Sequence, residues 1–387
     1  MTLENQLFEI CKILMLYGGI WMQEMPNWSK FSRKLYKVSS FLSQTLFVSC
    51  LPLFSVQLCI TFGTDIETGI GTLKNITFVA VICFKMFFIQ SKKFNKLIKL
   101  ATNRELQIMS SLDSEIKRIY RTHVTYAHRI IIAIVLCLHI TGYVYMGDGL
   151  YRSYSFYKTH QNVTDHTPKP HPVQVWFPFN KNKFYKTAMA YQIMHIVFVL
   201  NYNGCAQAVI HSVLVFVKAE MKILQYTVRN INISENSRKT LKMCVLRHQT
   251  MARWISEFNG GFQYILLLEY CVTSFTLATI LIEILQGKMI AFNMIFFTLS
   301  ISQLFFLSWN ANEILLESSS GLSNAIYDCT WYNLDQSSKS IIKFMIMRCS
   351  KPLTISIGPF GSMTIDAAAS RLKLSYSVAS VFSTTSL

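Results

Sequence analysis

The chain closes on KPLTISIGPFGSMTIDAAASRLKLSYSVASVFSTTSL, residues 351–387. From Gly361 onward this stretch is long enough to cross a bilayer as a helix, which takes about 20 residues. Yet it carries Asp366, Arg371, Lys373 and a run of serines. A helix that faces lipid on every side should be apolar all round. A helix that lines water needs one polar face and one apolar face toward the protein. At about 100° per residue, Ser370, Lys373, Ser377 and Ser380 fall on one face. Two readings of that stripe compete. It lines a pore, or its serines merely bond to carbonyls one turn back.

The rest of the chain decides the setting. Only 15% of its residues are charged and 51% are hydrophobic, whereas a soluble domain carries about 25% charge. This composition defines an all-α integral membrane protein. The first span reads over Val38–Thr64, which holds no charge. The second covers Thr68–Gln90 and contains Lys74 and Lys85. Lys85 is expected to snorkel toward the nearer interface, and Lys74 lies close to the other end. The third is Ile130–Gly147. The fourth lies within Thr187–Val217, free of Lys, Arg, Asp and Glu. The fifth, Phe258–Leu285, is interrupted by Glu269 and Glu283. The sixth is Met289–Asn312, and the closing stretch makes the seventh, Gly361–Thr385. No internal repeat supports an inverted-repeat transporter.

Orientation follows from the distribution of Lys and Arg over the connections. Segments 1–37, 91–129, 218–254 and 313–360 together hold 26. The alternate connections, counting 148–186 and Lys288, hold seven. The basic side is expected in the cytosol. The N-terminus is then cytosolic and, with seven spans, the C-terminus is extracellular. A G-protein-coupled receptor would need its basic loops on the opposite set. It would also carry Asp-Arg-Tyr and Asn-Pro-x-x-Tyr signatures, which are absent here, as is a cysteine in 148–186.

The net charge of +17 belongs to those connections. No Lys/Arg cluster with interleaved aromatics suggests nucleic acid. The ten cysteines lack metal spacing and avoid the long outer loop, so no disulfide framework is expected. No signal peptide is read at the N-terminus. The run Ile13–Met22 is too short to span and is expected to lie against the membrane or the bundle. The outer loop holds the sequon Asn162-Val163-Thr164, which marks Asn162 for glycosylation. It also holds His160, His166 and His171. The three prolines at 168, 170 and 172 favour an irregular loop over a metal site, and no metal or other cofactor is expected.

Several residues near the ends carry a family pattern. Gly358, Phe360, Met363-Thr364, Lys373 and Ser375-Tyr376-Ser377 stand in order near the C-terminus, and LYGGIWM stands near the N-terminus. In these motifs, and in its inverted seven-span layout, the chain resembles the insect odorant receptor family. It departs from the family at Ala367-Ala368-Ala369 and at residues 378–382. The related gustatory receptors are the alternative within the superfamily, and a G-protein-coupled receptor is the alternative outside it.

The resemblance implies a receptor subunit that binds small volatile apolar ligands and gates a non-selective cation channel. It implies a hetero-tetramer with the odorant co-receptor in the plasma membrane of sensory neurons. The expected parts are a cytosolic segment 1–37, spans one to six with the ligand pocket over 38–312, a cytosolic anchor over 313–360, and a pore-lining span with a short tail over 361–387. Trp254, Trp331 and Tyr332 would supply apolar area for subunit contact. The ligand pocket would draw on the outer halves of four spans. These offer Thr77, Phe78 and Val81 on the second; Ile140, Tyr143 and Met146 on the third; Tyr191, Met194, His195 and Phe198 on the fourth; and Phe292 and Phe296 on the sixth. The pore would draw on Ser377, Ala379, Ser380 and Ser383, narrowest between Ala379 and Ser383, with Arg371 turned away from the conduction path. No catalytic motif competes. Glu269 and Glu283 lie about 21 Å apart along one helix, too far to act together, so no enzyme is expected.

Overall fold

The computed structural model describes residues 6–21, 28–63, 65–160, 167–231, 237–287 and 289–385. The described residues are almost wholly helical. Helix α1 covers Glu9–Tyr17, α2 Lys30–Val48, α3 Cys50–Thr61, α4 Ile66–Ile89, α5 Lys92–Met109 and α6 Ser114–Thr159. Then come α7 over Tyr185–Arg229, α8 over Ser237–Leu285, α9 over Ile290–Leu316, α10 over Leu322–Asp328, α11 over Gln336–Cys349 and α12 over Ile365–Thr385.

Among the described residues, six helical stretches are long and apolar enough to cross a membrane, and they overlap the first six spans read from the sequence. The third is the middle of a helix of 46 residues, the fourth the N-terminal part of one of 45, and the fifth the C-terminal part of one of 49. Their basic ends project as a helical stalk, where α5, α10 and α11 pack on them. The opposite end carries the loop between α6 and α7 and is called the loop end below. Helix α12 packs on α8 and α9 and completes a seven-helix bundle.

Local chemistry sets the helix boundaries. Polar residues cap α2, α4, α5, α6 and α11: Ser29, Asp65, Ser91, Asp113 and Asp335 each accept a backbone N–H of the first turn. Such caps satisfy donors that have no partner within the helix. The first span is broken at Ser49, between α2 and α3. Pro52 has no N–H to donate to the carbonyl one turn earlier, so the helical ladder is interrupted there. The seventh span starts at Ile365 rather than Gly361. Gly361 takes a φ of 93°, a conformation open to glycine. The chain folds back so that Met363 N–H donates to the Ile355 carbonyl at 2.8 Å.

The segment Ile13–Met22, read as lying against the membrane or the bundle, packs on the bundle through α1, with Met22 outside the described residues. Helix α1 packs on α7, with Cys11 Sγ 3.0 Å from Ser212 Oγ and Cys205 Sγ donating to the Leu14 carbonyl at 3.1 Å. Helix α7 is central. Nearly every side chain from Tyr202 to Leu224 is buried, because α1, α2, α4, α6, α8 and α9 all pack on it.

Two sequence expectations require correction. Lys85 does not snorkel. It is 1% exposed and ion-paired with Glu269 of α8, because a carboxylate at the same depth holds the ammonium inside. Trp254 is not a contact surface. It is buried, stacks on Phe258 at 6.0 Å, and its indole N–H donates to the Leu97 carbonyl at 3.3 Å. Trp331 and Tyr332 are exposed at 39% and 59%.

Candidate ligand cavity and pore face

Helices α3, α4, α6, α7, α8 and α9 converge near the loop end around a cavity of about 440 Å³. That volume suits a small organic molecule. Aromatic and aliphatic walls come from Phe54, Phe78, Leu138, Ile196, Leu200, Phe292 and Phe296. Tyr145 and Phe292 pack ring to ring at 4.9 Å, and Phe292 stacks on Phe296 at 5.6 Å. Polar side chains interrupt these walls. They include Thr72, Asn75, Thr141, His195, Thr276 and Asn293. Lys74 and Glu283 pair at 3.1 Å in the wall, and Arg152, which pairs with Asp148 at 2.7 Å, also lines it. These pairs neutralise the charges one by one and leave the cavity without a dominant sign.

The loop between α6 and α7 forms part of the wall. Pro172 packs against Gly149, so close that a Cβ there would meet the proline ring at 2.7 Å. Tyr145 donates to the Pro172 carbonyl at 2.6 Å. His171 lines the cavity and accepts from Gln192 Nε2 at 3.2 Å. Burial, with Lys181 and Lys169 nearby, lowers its pKa to about 4. It is therefore neutral at physiological pH. His160 caps α6 at the surface, while Asn162 and His166 lie outside the described residues. Among the described residues no group of His, Cys, Asp and Glu is arranged to hold a metal ion.

Phe78, His195, Phe292 and Phe296 line the cavity. His195 is clasped from behind, with Nδ1 2.9 Å from Cys50 Sγ and its ring stacked on Phe47 at 5.8 Å. Tyr191 stands one turn earlier and bonds Ser49 Oγ at 2.8 Å, outside the cavity. Val81 lines a smaller chamber beneath it. Thr77, Met146, Met194 and Phe198 are half-buried and do not line the cavity. Ile140 and Tyr143 point away from it, at 54% and 53% exposure. The cavity face of α6 is instead Leu138, Thr141, Gly142 and Tyr145, one helical stripe. His171, Thr141 and Asn293 are cavity residues that sequence reasoning missed. For Thr141 the spacing from Leu138 and Tyr145 was the available signal.

On α12, Lys373, Ser377 and Ser380 are exposed along one face, with Ser370 a turn earlier. Ser377 also donates to the Lys373 carbonyl at 3.0 Å, so the exposed stripe and the backbone bond coexist. Ala379 turns the other way and is 3% exposed. The side chain of Ser383, in the last turn of α12, lies outside the described residues. Arg371 is held between two rings, 5.6 Å from both Tyr270 and Phe360, a favourable seat for a guanidinium. Ser375 reaches across to the Ser274 carbonyl of α8 at 3.1 Å.

Fold and cavity together define a helical membrane protein with a part-open cavity near one end of its bundle. The profile of the 7tm odorant receptor family matches residues 65–376, and the chain belongs to that family. It is 27% identical to odorant receptor 10 of Aedes albopictus over 202 residues, 48% of this chain and 54% of that one. It is 28% identical to odorant receptor Or2 of Anopheles gambiae over 141 residues, 35% of this chain and 37% of the relative. It is also 28% identical to the odorant receptor coreceptor of Drosophila melanogaster over 141 residues, 35% of this chain and 28% of that protein. The matched stretches thus span about half or less of these relatives. The fold extends further. The olfactory receptor OR5 of Machilis hrabei superposes with a TM-score of 0.82 over 97% of both chains, at 13% identity. The same receptor in complex with eugenol gives 0.79 over 98% of this chain and 97% of that one.

Proposed function

We propose that this chain is an odorant receptor subunit that binds a small volatile molecule in the cavity near the loop end and gates a non-selective cation channel. The cavity of about 440 Å³, lined by six helices of the bundle, carries the reading. The bound ligand of the Machilis receptor and the family's receptor character support it. The N-terminus is cytosolic and the C-terminus extracellular, an orientation that the basic asymmetry supports, and the subunit sits in the plasma membrane. Cavity residues Phe78, His195, Phe292 and Phe296 bind the ligand. The exposed polar face of α12, through Ser377 and Ser380, faces the conduction path.

The subunit works in a hetero-tetramer with the odorant co-receptor. Its contact surface is the anchor region 313–360, where Tyr327, Tyr332, Phe344 and Met347 are exposed at 59% or more. Large apolar side chains left open on one chain favour a partner. Patch recording of odorant-evoked current, in cells with and without the co-receptor, tests the reading. Current only when both chains are present is expected. Odorant responses that survive block of cation current and need a G protein would replace it. A C-terminal epitope should be stained on unpermeabilised cells, and staining only after permeabilisation would reverse the topology.

A further inference from the structure

Beneath the ligand cavity lies a second chamber of about 50 Å³. Phe78, Leu138, Thr276 and Phe296 line both, so the two spaces adjoin. The deep chamber, like the cavity above it, has mostly apolar walls, and it adds a cluster of polar side chains. It is lined by Lys85, Asn203, Gln207, Glu269, Ser300 and Gln303. Glu269 is seven residues before Thr276 on α8, which places it about 10 Å deeper along the helix. Polar groups this far inside a bundle are costly unless they are paired.

Some of them are paired, and the remainder form a pattern. Lys85 and Gln207 Nε2 both donate to Glu269 Oε1, the latter at 2.9 Å. Four buried atoms have no hydrogen-bond partner: Glu269 Oε2, Gln207 Oε1, Gln303 Nε2 and Thr276 Oγ1. Two of these only accept, one only donates, and the threonine hydroxyl does either. Thr276 is 4% exposed and belongs to both spaces.

We propose that this deep chamber reads the head group of the ligand, and that the group it takes is a hydroxyl, as in an alcohol or a phenol, with the hydrocarbon part left in the upper cavity. The inference rests on the receptor reading above and names the ligand class of the same site. A hydroxyl donates to Glu269 Oε2 or Gln207 Oε1 and accepts from Gln303 Nε2. A ketone, ester or ether only accepts and leaves both acceptors unmatched. A carboxylate would face Glu269, and an ammonium would share the chamber with Lys85. The volume agrees, since one water-sized group needs roughly 10–15 Å³ on this measure. It accommodates a head group and excludes a chain.

The test is binding to the purified full-length chain, read as ligand-induced thermal stabilisation. The probes are matched pairs: octanol against octyl methyl ether, and phenol against anisole. The hydroxyl member of at least one pair should bind roughly tenfold more tightly or better, because the ether leaves buried acceptors unpaired. Gln303→Leu and Gln207→Leu should bring that ratio toward one while the ether binds as before. Gln303→Met, closer in shape, serves where the leucine variants fold poorly. Glu269 is left intact, since its loss would strand Lys85. Ethers that bind as well as their hydroxyl partners, no binding by either hydroxyl compound, or variants that weaken both members equally would overturn the inference. Current evoked by hydroxyl-free volatiles alone would also overturn it and would leave the receptor reading standing.

Discussion

Lys85 of α4 and Glu269 of α8 are ion-paired inside the bundle, with side-chain exposures of 2% and 14%. They are 184 positions apart in the chain. Each alone would be an expensive charge at mid-membrane. Breaking one side of such a pair strands the other and costs about 3–5 kcal/mol, whereas replacing both by apolar groups is often neutral. Lys85→Met and Glu269→Leu should therefore each lower the thermal stability of the purified chain sharply. The double variant should recover most of the loss. Double-variant damage equal to the sum of the singles would mean that the pair is not the unit of stability.

The cavity makes a sharper distinction between residues at the same depth. Phe292 lines it, and Tyr143 faces away from the bundle. Phe292→Ala should shift preference toward bulkier ligands by roughly tenfold, the scale of small volume changes in an apolar pocket. Tyr143→Ala should leave ligand preference unchanged. A dose–response panel on both variants decides. A shifted panel for Tyr143→Ala with none for Phe292→Ala would move the binding site to the outer face of α6.

This contrast shows what the sequence makes legible. Hydropathy locates six spans because each crosses the bilayer as one apolar run. The seventh is legible through a different signal, the single polar face of Ser370, Lys373, Ser377 and Ser380. Depth within a span is readable too, and it placed Phe292, Phe296 and His195 at the level of the cavity. Facing is not. A membrane helix is apolar on its lipid side as well as its protein side, so Ile140 and Tyr143 look no different from Leu138 and Tyr145. Nor does any local periodicity announce that Lys85 will meet Glu269, or that Lys74 will meet Glu283 at 3.1 Å. His171 shows a third limit. Prolines at 168, 170 and 172 mark an irregular loop, and only the packing of Pro172 on Gly149 turns that loop into a cavity wall.

That contact carries its own prediction. A methyl group at residue 149 would meet the Pro172 ring at 2.7 Å and its Cα at 3.3 Å. A proline ring cannot swing aside as a leucine end can. Gly149→Ala should lift the loop from α6, strain the Tyr145–Pro172 hydrogen bond, and weaken ligand binding. Faster proteolysis within residues 167–184 should accompany the loss. Unchanged affinity and unchanged cleavage would show that the loop does not seal the cavity.

At the basic end, Glu105 of α5 is 1% exposed. It accepts from the Leu7 backbone N–H at 2.5 Å and from the Tyr120 hydroxyl at 3.0 Å. Burial dominates these bonds and raises its pKa from 4.5 to about 7. A raised carboxyl favours the folded chain while protonated. Its contribution is complete below the unfolded value and is lost as pH rises through about 7. The melting temperature of the purified chain should therefore fall between about pH 5 and about pH 8, and Glu105→Gln should flatten that slope. A slope unchanged by the substitution would assign it to another group.

The exposed stripe and the packed side of α12 should answer differently to the same substitution. Ser377 and Ser380 face outward, while Ala379 is 3% exposed against the bundle. A hydroxyl bonded back to its own helix, as Ser377 is to Lys373, still offers its oxygen to water. An apolar side chain there would favour a dewetted, closed constriction. Ser377→Leu and Ser380→Leu should thus reduce odorant-evoked current at saturating ligand without moving the half-maximal dose. Ala379→Leu adds bulk to a closed contact, which costs about 1–3 kcal/mol when packing is tight. Its expected signature is reduced surface expression, with the current per surface receptor preserved. Combined surface labelling and patch recording separates the two. If Ala379→Leu reached the surface normally and cut the current while both serine variants conducted as before, the face opposite the stripe would be the one that lines the pore.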